Sequence, residues 1–203
     1  MVATPMPPAL LQLADAIRTS PHNLVSRRAR EELLDRHIPE CRAFAQLLPP
    51  DARVIDLGSG GGLPGLVIAV ERPDIALDLV EATGKKADFL RATAAALGLA
   101  VSVHRARAED LAQGALAGNF DAVTARALAP LDRLVRWGAP FLAPGGRLYA
   151  IKGARWREEL DVARSVIEAL GLEVAGTPED DPQLRPDRDS PHRPLVVMLA
   201  HRS

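Results

Sequence analysis

The residues best suited to chemistry form a glycine-rich stretch from Arg53 to Gly65, with the sequence Arg-Val-Ile-Asp-Leu-Gly-Ser-Gly-Gly-Gly-Leu-Pro-Gly. A short apolar run leads into the glycines and a second apolar segment follows them, an order that predicts a strand, a tight loop and a helix. Glycine frees the loop to adopt backbone angles that side chains forbid, and it lets a ligand approach the main chain. The loop amides and the positive end of the helix would then face a polar or anionic small molecule.

Two acidic residues make this prediction more specific. Asp56 lies at the end of the first apolar run, and Glu81 ends the next strand-like run, 75–81. An acid in the position of Glu81 accepts hydrogen bonds from the hydroxyls of a ribose. For Asp56 two interpretations remain open: direct contact with the bound molecule, or capping of the glycine loop through backbone amides. Together the loop and the acids predict a nucleoside-binding site.

Other catalytic motifs fit less well. Ser59 cannot form a nucleophile elbow, because Leu57 stands where that motif requires a glycine. The histidines lack metal-ligand spacing and Cys41 is the only cysteine, so no metal is expected. The segment Gly60 to Gly65 does match the G-x-G-x-x-G pattern of nicotinamide-binding proteins. However, the first glycine of that pattern should follow the strand directly, and here Gly58 takes that place.

A nicotinamide-dependent reductase on the same fold therefore stays open as an alternative. Such an enzyme needs a proton donor, and the only tyrosine, Tyr149, is followed four residues later by Gly153 rather than by a lysine. The second alternative is a catalytically inactive protein that binds a nucleoside or RNA.

Composition limits the class of protein. The chain has 203 residues and a formal net charge of -1, which fits one domain and excludes a globally basic nucleic-acid-binding protein. RNA binding would thus need a local basic patch. A single cysteine suits a reducing cytoplasm. Gln12 and Asp15 interrupt the apolar stretch near the start, so neither a signal peptide nor a membrane-spanning segment is expected.

Beyond residue 50, strand-like and helix-like stretches alternate, which predicts an α/β fold with a mostly parallel sheet and helices on both faces. The seven predicted strands are 53–57, 75–81, 101–105, 121–124, 146–151, 172–175 and 195–200. The helices predicted between them are 64–72, 85–97, 131–137 and 154–170. Residues 1–50 are predicted to form a helical extension, with helices at 9–18 and over 23–48, packed on a single domain of residues 51–203. Residues 177–194 are predicted to form a surface loop or hairpin connection.

The pattern Asp-x-Gly-x-Gly-x-Gly from Asp56, with an acid ending the second strand, resembles motif I of the S-adenosylmethionine-dependent methyltransferases. Further segments occur in the order seen in the RsmG family, also called GidB. They are Gly58 to Gly65, Lys85-Lys86 before Phe89-Leu90, Arg107-Ala108-Glu109, Ala125-Arg126-Ala127, and Gly145-Gly146 before Lys152-Gly153. Upstream, Asn23-Leu24-Val25-Ser26 and Arg36-His37-Ile38 resemble the family's N-terminal helical region. The chain departs from the family at Glu40-Cys41, where Asp-Ser is usual, and at Ala125 and Leu128, which replace a serine and an aromatic residue.

The resemblance implies the Rossmann-like fold of class I methyltransferases. It implies S-adenosylmethionine as cofactor and methyl transfer to N7 of a guanine, guanine 527, in 16S ribosomal RNA. Separately, the near-neutral overall charge leaves only a small local patch to hold RNA, so a small ribosomal subunit particle is the expected substrate; the enzyme is expected to be a monomer in the cytoplasm. Carried over residue by residue, the resemblance assigns the cofactor site to Asp56, Gly58, Gly60, Leu63, Glu81, Ala108, Glu109 and Arg126. Among these, Glu81 would bind the ribose, and Arg126 would lie beside the methionine end or the target and act in catalysis.

The implied chemistry needs no general base. The methyl group sits on a positively charged sulfur, and guanine N7 offers a lone pair without a proton, so no catalytic His or Cys is expected. Positioning and exclusion of water would supply the rate enhancement. Because N7 faces the deep groove of an A-form helix, the base must be unpaired or distorted when it reacts. The candidates for phosphate contacts are Lys85, Lys86, Arg147 and Lys152, with Arg155 and Arg157.

Overall fold

The computed structural model describes residues 5–186, 188 and 191–202. Its N-terminal part starts with helix α1 (Pro8–Thr19), in which a proline occupies the first turn, where its missing N–H leaves no bond unmade. Helix α1 buries Leu10, Leu13, Ala14 and Ile17, the spacing of one helical face. These side chains join the same core cluster as Leu66 and Val67, which follow the glycine loop.

The helical region predicted over 23–48 is present, but the chain there forms three short helical pieces rather than one continuous helix. They are α2 (Arg27–Glu31), a π-helical turn (Leu33–His37) and α3 (Ile38–Ala45). Ser26 caps α2 by accepting a hydrogen bond from the Ala29 amide at 3.2 Å, so the preceding residues are not helical. Pro39 explains the π turn, since it has no N–H to donate and its ring crowds the carbonyl four residues earlier.

All seven predicted strands are present. They are β1 (Arg53–Leu57), β2 (Ala76–Val80), β3 (Val101–His104), β4 (Phe120–Arg126), β5 (Leu142–Lys152), β6 (Leu172–Gly176) and β7 (Leu195–His201). The sheet order is β3-β2-β1-β4-β5-β7-β6, with β1 to β5 parallel and β7 antiparallel to both of its neighbours. The expected α/β fold with a mostly parallel sheet is therefore confirmed. Strand β5 starts earlier than predicted and shifts register against β4 between Phe120 and Ala122.

The four helices predicted between the strands are also present. They are α4 (Gly65–Glu71), α5 (Gly84–Ala96), α7 (Leu131–Gly138) and α8 (Trp156–Ala169). One more short helix, α6 (Ala108–Leu111), was not predicted. Residues 177–194 connect the antiparallel strands β6 and β7, as predicted, and include a 3-10 turn at Pro182–Leu184; residues 187, 189 and 190 of this prediction lie outside the described part of the chain. Within the described residues, no helix is both long and apolar enough to cross a membrane.

Side chains along the central strands point alternately to the two faces of the sheet, so the core has two layers. This alternation determines which side chains face the N-terminal helices. In β1, Val54 packs in the cluster that contains α1, α3 and α4, whereas Ile55 and Leu57 pack in the cluster that contains α7 and α8. Side chains on one strand alternate between faces, so Asp56 points to the side of the N-terminal helices. By the same rule Thr124 and Arg126 of β4 follow Ala122 onto that side.

Candidate functional site

The glycine loop lies at the carboxyl end of β1 and is held against β2. The amides of Gly58 and Ser59 both donate to the Val80 carbonyl, at 2.9 and 3.0 Å. Gly58 has φ +69° and Gly60 has φ +55°, backbone angles that favour glycine. A Cβ on Gly58 would collide with the Leu128 side chain, which follows β4. The backbone conformation therefore favours glycine at position 58, and any side chain there would also displace Leu128.

Glu81 ties the end of β2 to this loop. Its carboxylate accepts from the Gly60 amide at 3.0 Å through Oε2 and from the Thr83 amide at 2.7 Å through Oε1. The side chain is largely buried, with the residue 7% exposed, yet it lines the cavity described below. Each carboxylate oxygen can accept a further hydrogen bond. The backbone tie was not foreseen from the sequence, because it depends on how the loop folds back over β2.

Asp56 lies beneath the glycine loop and is not among the residues that line the cavity described below, so of its two interpretations the structural role is favoured. It is fully buried; Oδ1 accepts from the Thr124 hydroxyl at 2.8 Å, and Oδ2 has no hydrogen-bond partner. Burial raises the pKa of the Asp56 carboxyl to about 6, while the hydrogen bond from Thr124 acts in the opposite direction. Gly65 leaves room for this carboxylate, since a Cβ there would approach Oδ2 to 2.8 Å.

The raised pKa of Asp56 predicts a measurable pH effect on stability. The folded protein binds the Asp56 proton more tightly than the unfolded chain does. The contribution of Asp56 should therefore lower the free energy of unfolding by about 3 kcal/mol as the pH rises from about 4 to about 6. Asp56→Asn should remove this contribution, and urea denaturation from pH 4 to 8 should show the variant gaining stability relative to the parent protein as pH rises. A pH-independent difference would contradict the assignment. Asp161→Asn, at an exposed carboxylate, is the control.

A cavity of about 600 Å³ opens above the glycine loop at the carboxyl edge of the sheet. We call it the first cavity. It gathers every predicted cofactor residue except Asp56, namely Gly58, Gly60, Leu63, Glu81, Ala108, Glu109 and Arg126. The sequence did not predict that the N-terminal segment also lines it, through Leu24, Val25, Ser26, Ala29 and His37. The only signal was the resemblance of these segments to a family motif, which carries no information about where they pack.

Arg126 lines the first cavity, and side chains from the N-terminal helical region hold it there. Its Nη2 donates to Glu40 Oε2 at 3.1 Å and to His37 Nδ1, and its Nη1 donates to Cys41 Sγ at 3.4 Å. Burial, followed by the Arg126 charge, lowers the pKa of His37. Burial raises the pKa of the Cys41 thiol to about 11, so this cysteine stays a neutral packing residue.

A second cavity, of about 650 Å³, adjoins the first and shares Arg126, Ala127 and Leu128 with it. Ala127 has φ +50°, an uncommon angle for a residue with a side chain, at the bend where the chain leaves β4. The cationic residues that line the second cavity outnumber its acids. They are Arg36, Arg126, Lys152, Arg155 and Arg193, against Glu40 and Glu159.

The structure separates the residues predicted to bind RNA. Lys85 is exposed and Lys86 is half-buried in the first turn of α5, and Lys86 lines the first cavity. Arg147 is misplaced for this role, because it pairs with Ala122 near the amino ends of the strands, at the edge opposite the cavities.

The prediction that Lys152 contacts RNA phosphate is also corrected. Its side chain is only 5% exposed, and Nζ already donates to Glu159 Oε2 at 2.7 Å and to the Ala129 carbonyl at 2.8 Å. Lys152 thus ties β5 to the loop after β4 and is not available as a free phosphate ligand.

Two alternatives can be tested against the geometry. Tyr149, the only tyrosine, is 2% exposed, packs edge-on against Phe44 at a centroid distance of 6.2 Å, and lines neither cavity. It is therefore not the proton donor of a reductase centred on these cavities. In the described part of the chain, no group of three or more His, Cys, Asp or Glu side chains could hold a metal ion.

Solved structures share this fold. A ribosomal protein L11 methylase from Lactobacillus delbrueckii subsp. bulgaricus matches with a TM-score of 0.60 and 14% identity, over 82% of this chain and 77% of that one. TYW2 of P. horikoshii, solved in complex with MeSAdo, matches with a TM-score of 0.60 and 16% identity, over 79% of this chain and 61% of that one. At these identities the likeness supports the class I methyltransferase fold alone.

Curated relatives are much closer in sequence. The Ribosomal RNA small subunit methyltransferase G of Mycolicibacterium smegmatis is 45% identical over 148 residues, covering 73% of this chain and 63% of the relative. The protein of the same name from Salinispora tropica is 46% identical over 163 residues, covering 77% and 65%. That of Acidothermus cellulolyticus is 48% identical over 144 residues, covering 70% and 63%. The matched region thus spans somewhat less than two thirds of the length of these relatives.

The family model described as rRNA small subunit methyltransferase G matches residues 10–184, a range that includes the glycine loop, Glu81, Arg126 and the N-terminal walls of the first cavity. The chain therefore belongs to the GidB family.

Proposed function

We propose that this protein uses S-adenosylmethionine to methylate N7 of a guanine in 16S ribosomal RNA. The observation that carries the proposal is the first cavity, where the glycine loop, Glu81 and Arg126 meet beside a second cavity with a cationic lining. Membership of the GidB family supports the same activity. We further propose that residues 1–50 act as a helical extension that closes the first cavity on one side of the domain formed by residues 51–203.

The residues of the first cavity fit the proposed cofactor. Gly58 leaves the main chain open where a side chain would press Leu128 into the cavity, and Glu81 retains acceptor capacity for ribose hydroxyls. Apolar walls from Val25, Leu63 and Ala108 suit a flat adenine ring. When bound, S-adenosylmethionine supplies a methyl group on a positively charged sulfur.

The surrounding side chains suit a reaction without proton abstraction. His37 lines the first cavity, but its Nδ1 is occupied by Arg126, and Cys41 is fully buried. Guanine N7 carries no proton, so the site needs to align the base and exclude water rather than remove a proton. Arg126, at the junction of the two cavities, is placed to act on that alignment.

The second cavity is the proposed entry for the target nucleotide. Its lining has more cationic than acidic side chains and includes the exposed Arg155, which favours an anionic backbone, while Leu128, Pro130 and Ile151 supply apolar surface for a base. Lys85 and Lys86 flank the first cavity and extend the basic surface. With a formal net charge of -1, this local patch would hold free RNA only weakly. We therefore propose a small ribosomal subunit particle as substrate, a monomeric enzyme and a cytoplasmic location.

Two measurements test the proposed function. Calorimetric titration should show binding of S-adenosylmethionine and none of NADH. Labelled-methyl transfer to small ribosomal subunits, followed by nucleoside mass spectrometry, should yield N7-methylguanine. Binding of NADH instead would revive the reductase, and cofactor and RNA binding without transfer would support an inactive binding protein. Free 16S RNA methylated as fast as the particle would overturn only the choice of particle as substrate.

A further inference from the structure

The residues that hold Arg126 come from the irregular part of the N-terminal region. His37 ends the π-helical turn and Glu40 lies in the first turn of α3, and both contact the guanidinium of Arg126. All three side chains are largely buried, with exposed fractions of 12% for His37, 18% for Glu40 and 16% for Arg126. The cluster lies where the two cavities meet, since Arg126 lines both of them.

The contact with Arg126 favours one chemical form of His37. An arginine has no acceptor, so the contact between Arg126 Nη2 and His37 Nδ1 requires Nδ1 to accept the hydrogen bond. The imidazole is then neutral and carries its proton on Nε2. Burial and the Arg126 charge, which lower the pKa of His37, favour the same neutral form.

Protonation of His37 would rearrange the cluster. The charged groups around the imidazole are Glu32, Arg36 and Glu40 from its own segment and Arg126 from β4. A proton on Nδ1 would point at the Arg126 guanidinium and repel it. The same N–H would turn to Glu40 Oε2, now 3.4 Å away, and compete with Arg126 for this carboxylate. Arg126 would thereby lose its acceptor on His37 and share Glu40 Oε2 with the imidazole, while Glu40 Oε1 already pairs with Arg36 at 2.9 Å.

We propose that His37 and Glu40 are positioning residues that fix Arg126 between the two cavities, and that His37 does so only as the neutral Nε2–H tautomer. The π turn contributes to this positioning. One residue more or less in a helix rotates the following side chains by about 100°, so the extra residue of the π turn sets the direction of the side chains after it. The consequence for catalysis rests on the proposed function. The state of His37 itself does not, so the two can be tested separately.

The first test uses the protein alone. A long-range ¹H–¹⁵N correlation spectrum of the imidazole rings, with the His37 signals assigned by their loss in His37→Gln, reports tautomer and protonation. We expect the neutral Nε2–H form at pH 7, and a change of the His37 signals in Arg126→Lys. A neutral Nδ1–H tautomer, or a protonated ring at pH 7, would overturn the proposal whatever reaction the protein performs.

The second test measures methyl transfer against pH. For the parent protein we expect kcat to fall only when the pH drops below 6.5, the ordinary pKa of histidine, because burial and the Arg126 charge lower the pKa of His37 and protonation then releases Arg126. His37→Gln keeps an acceptor that cannot titrate, so it should retain at least a third of the parent kcat at pH 8 and lose this acid limb. His37→Ala should lose at least tenfold in kcat at every pH, with the dissociation constant of S-adenosylmethionine changed less than threefold.

The controls separate positioning from folding. His201→Gln alters a histidine at the opposite edge of the sheet and should keep the parent pH profile. Thermal unfolding at each pH identifies any loss of folded protein, and His37→Gln carries the test if His37→Ala is unstable. An acid limb that persists in His37→Gln, or full kcat in folded His37→Ala, would overturn the proposal. Absence of transfer by the parent protein would instead count against the proposed function and leave the spectroscopic result standing.

Discussion

Replacing Glu81 with alanine is expected to weaken binding of S-adenosylmethionine by about 100-fold. The variant would remove a charged acceptor for the ribose, and hydrogen bonds to charged groups contribute about 1.5–3 kcal/mol each. It would also leave the Gly60 and Thr83 amides without the carboxylate that now accepts from them at 3.0 and 2.7 Å. Both effects act in the lining of the first cavity. Calorimetric titration measures the change in affinity.

The two roles of Glu81 can be separated with a modified ligand. S-adenosylhomocysteine and its 2′-deoxy counterpart should differ in affinity for the parent protein, because the deoxy ligand lacks a hydroxyl that Glu81 binds. In Glu81→Ala this difference in affinity should vanish, since the acceptor is gone. Any loss of affinity that both ligands share would instead report the loosened loop. An equal difference in both proteins would mean that Glu81 only supports the loop. Glu173→Ala, at an exposed acid on β6, should bind both ligands as the parent protein does.

Local sequence patterns were enough to predict the sheet and the central residues of the first cavity. The strands around Asp56 and Glu81 are short apolar runs bounded by glycine or charge, so their existence depends little on distant contacts. Parallel strands bring their carboxyl ends to one edge, and for that reason Gly58, Glu81 and Arg126 could be grouped from the order of strands and helices alone. The period of two along β4 would also have predicted that Thr124 and Arg126 face the same layer as Ala122.

What the sequence could not provide depends on contacts between distant segments. The apolar spacing over 23–48 indicates a helical region, and only the packing of Leu33 and Ile38 together with Pro39 shows where it breaks into separate pieces. Positive charge alone does not say at which edge of the sheet Arg147 lies. Nor does it reveal that Lys152 is already bound by Glu159, which lies in the first turn of α8. The sequence shows which side chains are charged, but only their packing shows which of them are available to bind RNA.

The second large effect is expected for Gly58→Ala, which should weaken cofactor binding by at least about tenfold, or 1.4 kcal/mol. An alanine at φ +69° is strained, by about 1–2 kcal/mol. Its Cβ would also collide with Leu128, a side chain that is 36% exposed and lines both cavities. Because Leu128 lines both cavities, a displacement of its side chain changes the space that they offer a ligand. Calorimetric titration and urea denaturation measure the two consequences independently.

The chain offers matched controls for the two effects of this substitution. Gly98 has nearly the same φ, +66°, but nothing lies within 4 Å of a Cβ there, so Gly98→Ala should lose similar stability and bind the cofactor normally. Adding Leu128→Ala to Gly58→Ala removes the collision but not the backbone strain, and it should restore most of the affinity while leaving the protein less stable. If the double variant binds no better than Gly58→Ala, the loop itself is distorted, and the contact with Leu128 is not what requires glycine at position 58.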